Sequence, residues 1–206
     1  GVAGVSTTDI VILGAGTVGE FAARSAMGLG ASVKIFDNSL YKLRRIQEKL
    51  NTRIDTNMIN PKALEKAVRR ADVVIGAIRT KSGRTPCLIS EDMVKLMKSG
   101  SVIIDVSIDR GGCIETSEIT SHKSPTFIKH GVIHYCVPNI PSRVARTASF
   151  SLSNIFASLL LQIGDHGGVN QIIYNNPNIG QGAYIINGRL VNKGIADWFN
   201  LPYQSL

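Results

Sequence analysis

The chain has 206 residues, of which 44% are hydrophobic, so it can bury a core of ordinary size and is not intrinsically disordered. Its formal net charge of +8 is spread over helical segments, and only 6% of its residues are aromatic, which favours solvated helix faces over a nucleic-acid surface. The three cysteines form no C-x-x-C pair. They therefore indicate neither a disulfide framework nor a structural zinc site, and they favour a reducing, cytoplasmic compartment.

The hydrophobic residues form no uninterrupted run that we expect to cross a bilayer. About 18 residues are needed for a span, and the longest candidate, residues 155–163, is interrupted by Ser158 and Gln162. We therefore expect no membrane partner. The chain begins at Gly1, without methionine or a signal-like segment, which predicts a processed product or a piece of a longer protein.

Apolar strands and amphipathic helices alternate along the first two thirds of the chain. Strand-like runs cover residues 10–13, 33–36, 73–77, 102–105 and 132–137, with a weaker run at 54–59. Helical patterns cover residues 18–29, 39–50, 61–70 and 90–97. Because each parallel crossover needs a helix to return the chain, this order predicts an α/β fold of the Rossmann type, with a doubly wound parallel sheet and helices on both faces.

The pattern changes after residue 141. A long helix is predicted over residues 145–163, followed by a hairpin over 184–191 centred on Asn187-Gly188 and a short helix over 195–199. We expect residues 1–141 to form one domain and residues 142–206 to belong to a second. The tail is too small for a core of its own, so we expect it to pack on something outside this chain.

A glycine pattern that binds phosphates follows the first strand, in the sequence Gly14-Ala-Gly16-Thr-Val-Gly19. Gly14 permits a tight turn, Gly16 lets backbone amides approach a pyrophosphate, and Gly19 lets the helix pack close to the sheet. Asp37 ends the second strand, where a carboxylate accepts the ribose hydroxyls of an adenosine and repels the 2′-phosphate of NADP. The pattern predicts an NAD site with its pyrophosphate at the helix that begins near Thr17.

The loops after the other strands carry further candidates, because ligands of an open parallel sheet bind beyond the carboxyl ends of its strands. Ile78 and Arg79 follow the fourth strand, and Asp109 lies in the glycine-containing loop after the fifth. Asp109 is interpreted either as a site residue at the mouth of the cleft or as a loop carboxylate that caps free N–H groups. Lys42 follows Asp37 closely enough to reach the adenosine end of a cofactor.

Two histidines, His130 and His134, are four residues apart. On a strand they would share a face. No carboxylate or cysteine on that segment completes a ligand set, so we expect no metal site.

Three motifs together resemble the alanine dehydrogenase family. They are Gly-Ala-Gly-Thr-Val-Gly at 14–19, Ser-Ile-Asp-Arg-Gly-Gly-Cys-Ile-Glu-Thr-Ser at 107–117, and His-Gly-Val-Ile-His-Tyr-Cys-Val-Pro-Asn-Ile-Pro at 130–141. The similarity covers essentially the whole chain. The two later motifs are the more specific ones, and in looser form they also occur in the NAD-binding part of proton-translocating nicotinamide nucleotide transhydrogenases.

The resemblance implies reversible oxidative deamination of L-alanine to pyruvate and ammonia, with hydride transfer to NAD. It implies that Asp109 is the catalytic aspartate, which orients or activates the water that attacks the imine, and that the protein is a homo-oligomer, usually a hexamer. The glycine pattern and the resemblance together assign cofactor contacts to Gly14, Gly16, Thr17, Val18, Gly19, Asp37, Lys42, Ile78, Arg79, Val106, Ser107, Ile108, Asp109, Val137, Pro138, Asn139 and Ile140.

Some positions depart from the family pattern. Glu118 stands where an arginine is common and Ile59 where a small polar residue is common, so neither is assigned a contact, and Arg79 replaces an aliphatic residue. In this family an N-terminal half supplies the arginine, lysine and histidine that handle the substrate, and that half is absent here. We therefore expect this chain to bind NAD and to turn over little or no alanine.

Two other functions stay open. The first alternative is the NAD(H)-binding, hydride-exchanging module of a transhydrogenase. A fused membrane segment in the full gene would favour this alternative. The second alternative is a non-catalytic NAD sensor. A sensor, however, needs no carboxylate such as Asp109 beside the nicotinamide.

Overall fold

The structure is a computed structural model that describes residues 2–80 and 84–205. The chain divides into two units, Gly1–Ile140 and Pro141–Leu206. The assignment of the second unit to a substrate-binding domain stays a prediction.

In the described part of the first unit, seven strands form one sheet. They are β1 (Asp9–Leu13), β2 (Ser32–Phe36), β3 (Asp55–Asn57), β4 (Val73–Gly76), β5 (Val102–Asp105), β6 (Thr126–Lys129) and β7 (Val132–Tyr135). Their order across the sheet is β3-β2-β1-β4-β5-β7-β6, and each neighbouring pair is parallel except β6 with β7. This is a doubly wound, Rossmann-type order with an antiparallel strand at one edge, so the predicted fold class is confirmed.

Among the residues of this unit that the structure describes, four α-helices lie between the strands: α1 (Thr17–Gly28), α2 (Leu40–Leu50), α3 (Pro61–Arg70) and α4 (Glu91–Lys95). Side-chain oxygens of Ser39, Asn60 and Ser90 accept N–H groups in the first turns of α2, α3 and α4. In contrast, α1 begins after Gly16 and has no side-chain cap. The N–H groups at the start of α1 are therefore left for another acceptor.

The helices cover both faces of the sheet, as predicted. On one face, Ala23 of α1 and Ile46 of α2 pack with Ile12 and Ile35 of the sheet. On the other face, Leu64 and Val68 of α3 and Val94 of α4 belong to a second core cluster that contains the sheet residues Phe36, Val74 and Ile103. Each face thus buries its own apolar layer.

The hairpin of β6 and β7 was not predicted from the sequence. Its turn residues His130 and Gly131 have φ values of 54° and 74°, as in a type I′ turn. The ring of His134 on β7 stacks on Phe127 of β6, and its Nε2 hydrogen-bonds with the Thr116 hydroxyl at 2.8 Å. Burial lowers the pKa of His134. Only His134 lies on the strand, so the two histidines do not share a strand face.

The second unit contains α5 (Ala145–Asp165), α6 (Val169–Asn175), α7 (Pro177–Gly180), the hairpin of β8 (Ile185–Ile186) with β9 (Arg189–Leu190), and α8 (Lys193–Phe199). Asn187 and Gly188 have φ values of 48° and 76°, which confirms the predicted hairpin and its turn. The buried apolar residues of this unit are few, namely Ile172, Ile186 and Ala196 among those described.

The segment Ile140–Asp165 is long and apolar enough to cross a membrane by length and composition. The expectation that no segment qualifies is therefore wrong. Ser158 and Gln162 interrupt the apolar run. The leucine, isoleucine and phenylalanine side chains around them nevertheless keep the mean hydropathy of the helix high. A single helix of this kind is weak support for a membrane span, because core helices of soluble proteins can be equally long and apolar.

Glu20 is a buried carboxylate on α1. It accepts a hydrogen bond from the Lys49 ammonium at 3.0 Å and lies 3.6 Å from the Arg24 guanidinium. The hydrogen bond from Lys49 holds the pKa of Glu20 below its ordinary value. The pair joins α1 to α2 on the face of the sheet that both helices cover.

We expect Glu20→Gln to lower the free energy of unfolding by about 1 kcal/mol at neutral pH, because it removes a charge-assisted hydrogen bond to a half-exposed lysine. Because folding lowers this pKa, the stabilisation is present above about pH 4.5 and is lost as the pH falls through the lower value in the folded protein. Urea unfolding over a pH series measures the difference, with Glu65→Gln in the exposed pair with Arg69 as the control. A difference that is as large in acid as at neutral pH would contradict this assignment.

Candidate functional site

The carboxyl ends of β1, β4 and β5 lie side by side at one edge of the sheet. The Ala77 N–H donates to the Leu13 carbonyl at 2.8 Å, and the Val106 N–H donates to the Gly76 carbonyl at 2.8 Å. The strand order reverses between β1 and β4. Loops on the two sides of such a reversal diverge and open a crevice, which is where ligands bind in this kind of sheet.

The three glycines of the turn after β1 differ in their surroundings. Gly14 has a φ of +107°, and a Cβ on it would lie 2.5 Å from the Ala77 carbonyl oxygen. A Cβ on Gly19 would overlap the Gly14 carbonyl oxygen, whereas a Cβ on Gly16 would meet nothing within 4 Å. Gly14 and Gly19 are therefore required for the turn to pack, and Gly16 faces open space.

The first turn of α1 opens on the same space. Thr17 and Val18 are exposed. Their N–H groups have no hydrogen-bond acceptor within the helix, because no carbonyl of the helix lies four residues before them. The N-terminal end of a helix carries a partial positive charge. Together with the open side of Gly16, these amides form a place where an anionic group such as a phosphate binds.

Asp37 stands beside this turn, directly after β2. Its Oδ2 accepts the Ala15 N–H at 2.9 Å, and its Oδ1 accepts the Ser39 N–H at 2.8 Å. The Lys42 ammonium lies 3.7 Å from Oδ2, and 10% of the Asp37 side chain is exposed. The carboxylate is thus fixed by two backbone donors and still presents a polar edge to a ligand.

A cleft of about 240 Å³ lies between these elements. Its lining consists of Gly14, Gly16, Asp37, Asn38, Lys42, Ile59, Ala77, Ile78, Arg79, Thr80, Pro86 and Leu88. It is slightly smaller than the pockets that enclose drug-sized ligands, so it suits a nucleoside-sized part of a larger ligand. Ile59, which the family pattern left without an assigned contact, also lines the cleft.

The sequence analysis missed several lining residues, among them Pro86 and Leu88. The segment that carries them is held against the loop after β5, because the Thr85 N–H donates to the Arg110 carbonyl at 2.9 Å and the Leu88 N–H donates to the Cys113 carbonyl at 2.8 Å. These bonds join residues more than 20 positions apart, so no local pattern could have identified them. The sequence offered one signal for Leu88, namely that it is an apolar residue in the connection that follows the strand β4.

The loop after β5 is organised by Asp105, which is fully buried. Its Oδ1 accepts the Ser107 N–H at 2.9 Å, and its Oδ2 accepts the Cys113 N–H at 2.9 Å and the Ser117 hydroxyl at 2.8 Å. Burial raises the pKa of Asp105, although these hydrogen bonds act in the opposite direction. The Ser107 hydroxyl in turn accepts the Ile78 N–H at 3.0 Å, so the network reaches the cleft.

Asp109 lies in a short 3₁₀ helix, Ile108–Arg110, within this loop. It is exposed, and its carboxylate makes no hydrogen bond or ion pair with the residues that the structure describes. The alternative that Asp109 caps free N–H groups of the loop is therefore wrong. Asp105 accepts the N–H groups of Ser107 and Cys113, and backbone carbonyls accept those of residues 110–112. Asp109 is left available to a ligand.

The other predicted contacts lie at the same edge of the sheet but outside the cleft. Residues 137–140 follow β7, which is parallel to β5; Val137 is buried and Asn139 has a φ of 54°. The predicted residues that do not line the cleft are Thr17, Val18, Gly19, Val106, Ser107, Ile108, Asp109, Val137, Pro138, Asn139 and Ile140. Their roles stay predictions.

We expect Asp105→Asn to destabilise the protein by about 2–4 kcal/mol, because the amide NH₂ group would face backbone donors in either orientation. The loss should appear as a lower midpoint in urea unfolding and as faster hydrogen exchange at the Ser107 and Cys113 amides. Asp109→Asn in the same loop is the matched control and should leave both measurements unchanged. Equal protection of these amides in wild type and Asp105→Asn would refute the assignment of Asp105 as the organiser of the loop.

Comparison with known proteins agrees with this geometry. The family model described as alanine dehydrogenase/PNT, C-terminal domain, matches residues 1–193. Alanine dehydrogenase from Halomonas elongata is 39% identical over 203 residues, which are 98% of this chain and 54% of the relative. Alanine dehydrogenase 2 from Staphylococcus aureus (strain USA300) is 40% identical over 207 residues, covering 100% of this chain and 55% of the relative. The chain thus spans about half the length of the curated relatives it matches.

Solved structures give the same result. An L-alanine dehydrogenase matches with a TM-score of 0.87 and 37% identity, over 97% of this chain and 55% of the other. A transhydrogenase from Sinorhizobium meliloti matches with a TM-score of 0.71 and 23% identity, over 92% of this chain and 51% of the other, which shows a shared fold alone. On the strength of the match over residues 1–193, the chain belongs to the alanine dehydrogenase/PNT C-terminal domain family.

Proposed function

We propose that this chain binds NAD(H) in the crevice after β1 and β4, as the cofactor-binding part of an enzyme that reversibly deaminates L-alanine to pyruvate and ammonia. The observation that carries the proposal is the start of α1, which no side chain of the described residues caps and where a Cβ on Gly16 would meet no described atom within 4 Å. Asp37 stands beside it with both carboxylate oxygens fixed. An anionic diphosphate and a ribose need these two features next to each other.

The residues present fit a dinucleotide. The amides of Gly16, Thr17 and Val18 would hold the diphosphate, and Asp37 with Lys42 would hold the adenosine ribose. Apolar side chains of the cleft, including Ile59, Ile78 and Leu88, would contact the adenine. When bound, NAD supplies the acceptor for a hydride from the substrate.

In this proposal Asp109 is the catalytic carboxylate. Its exposure and lack of described partners leave its oxygens available to orient the water that attacks the imine and to take up the proton that this water releases. A negative charge at this place also favours the positive charge that develops on the substrate carbon as the hydride leaves. The hydrogen bonds that Asp105 accepts from the Ser107 and Cys113 N–H groups brace the loop that carries Asp109.

Relatives with about 40% identity that are named alanine dehydrogenases favour this function over hydride exchange in a transhydrogenase. The transhydrogenase match is 23% identical and supports the fold alone. A non-catalytic sensor is less favoured, because it would have no use for the exposed Asp109.

Three further parts of the proposal concern the whole protein. The 206 residues alone bind the cofactor and turn over little alanine, because the resemblance assigns the groups that hold the substrate to an N-terminal half. The protein assembles as a homo-oligomer, which the exposed apolar side chains of α5, such as Phe150, Ile155 and Leu160, support. The free cysteines are consistent with a cytoplasmic location.

We expect the chain to bind NADH and to bind NADPH at least tenfold more weakly, because Asp37 repels a 2′-phosphate. Calorimetric titration of each cofactor measures this difference. Asp37→Ser is expected to reduce the preference for NADH over NADPH. Glu65→Gln is the control, because Glu65 lies on α3 and does not line the cleft. Equal affinity for NADH and NADPH would overturn the role of Asp37, and the absence of binding by the folded protein would overturn the proposed function.

The same sample mixed with L-alanine and NAD is expected to produce little NADH absorbance. Robust turnover would show that the groups essential for catalysis lie within these 206 residues.

We expect Gly16→Ala and Gly19→Ala to separate binding from folding. At Gly16 an added methyl meets no atom of the described residues within 4 Å, so the variant should lose less than about 1 kcal/mol of stability. Because that methyl would occupy the place proposed for the diphosphate, the variant should bind NADH at least tenfold more weakly. At Gly19 the methyl overlaps the Gly14 carbonyl oxygen, so the variant should lose about 2 kcal/mol or more. Thermal unfolding and NADH titration distinguish the two, and undiminished NADH affinity in Gly16→Ala would contradict the placement of the diphosphate.

A further inference from the structure

Arg45 on α2 reaches the glycine turn that follows β1. Its Nη2 donates to the carbonyl oxygen of Ala15 at 3.2 Å. Ala15 is fully buried, and its own N–H donates to Asp37 Oδ2 at 2.9 Å. The N–H and the carbonyl of Ala15 are therefore each held by a side chain from the segment after β2.

The Ala15 carbonyl and the Gly16 N–H belong to the same peptide group. A trans peptide is planar, and its C=O and N–H point in opposite directions. When Arg45 holds the carbonyl, the Gly16 N–H must point away from the guanidinium. Gly16 is also the glycine of the turn at which an added Cβ would meet nothing within 4 Å.

The position of Arg45 is not explained by its other contacts. Its Nε is buried and has no hydrogen-bond partner among the described residues, which costs free energy. Its charge acts on Glu20, but Lys49 already donates a hydrogen bond to that carboxylate at 3.0 Å. What the guanidinium gains here is the hydrogen bond to the turn.

We propose that Arg45 is a positioning residue of the diphosphate site. By holding the Ala15 carbonyl it directs the Gly16 amide toward the bound diphosphate, and it acts through the backbone without contacting the ligand. The proposal rests on the proposed function, since it requires a dinucleotide in the crevice.

A positioning role and a purely structural role predict different effects of losing Arg45 on ligand binding. Loss of Arg45 should weaken ligands that carry the diphosphate and spare adenosine, whose contacts are at Asp37 and the cleft. An arginine that only stabilises the fold would, when removed, lower thermal stability and change the affinity for both kinds of ligand by a similar factor.

The experiment compares wild type, Arg45→Met and Arg44→Met. Arg44 is the neighbouring, exposed residue on the same helix, so its variant controls for the loss of one positive charge. ADP-ribose is titrated by calorimetry and adenosine by NMR, at a temperature well below the unfolding midpoint of each variant. Arg45→Lys, which keeps the charge beside Glu20, repeats the test if Arg45→Met does not fold.

We expect Arg45→Met to bind ADP-ribose about three- to tenfold more weakly than wild type, the range for one lost hydrogen bond, with adenosine affinity unchanged and Arg44→Met like wild type. Unchanged ADP-ribose affinity, or an equal loss for both ligands, would overturn the positioning role while leaving the proposed function intact. Failure of wild type itself to bind ADP-ribose would overturn both.

Discussion

Backbone N–H groups at the ends of the parallel strands need acceptors once the sheet stops, and two aspartates provide them. Asp37 follows β2 and accepts the N–H of Ser39, two residues on, and the N–H of Ala15 from another loop. Asp105 ends β5 and accepts the N–H of Ser107, again two residues on, and the N–H of Cys113 from farther along the chain. Each carboxylate thus forms a local turn with one oxygen and ties in a distant segment with the other.

This arrangement braces the carboxyl edge of the sheet at the loops that border the proposed cofactor site. A buried carboxylate is tolerated only when donors surround it, so moving either loop away would leave buried hydrogen-bonding groups without partners. The Ala15 N–H is held by Asp37 and the Ile78 N–H by the Ser107 hydroxyl, so the proposed site does not depend on a ligand to order these two backbone segments. A preformed site avoids the entropic penalty of ordering loops on binding.

Local patterns predicted most of the fold for identifiable reasons. The apolar runs, the helical patterns between them and the Asn187-Gly188 turn are all encoded within a few residues. The β6 and β7 hairpin was missed because His130-Gly131 is not one of the common type I′ pairs. The cleft residues Pro86 and Leu88 were missed because distant contacts, rather than neighbouring residues, bring them there.

The site was predicted less completely than the fold, and the two aspartates of the loop after β5 show why. Motif similarity drew attention to Asp109, and Asp105 was not singled out, although it repeats the placement of Asp37 at the end of a strand with a serine two residues later. The structure gives the two residues opposite environments, since Asp105 is fully buried among donors and Asp109 is exposed. Asp105 is fully buried and accepts three hydrogen bonds from its own loop, so it presents no surface to a ligand, whereas the Asp109 carboxylate accepts none from the described residues. Burial and hydrogen bonding therefore separate the organising aspartate from the candidate catalytic one, which residue type and spacing alone do not do.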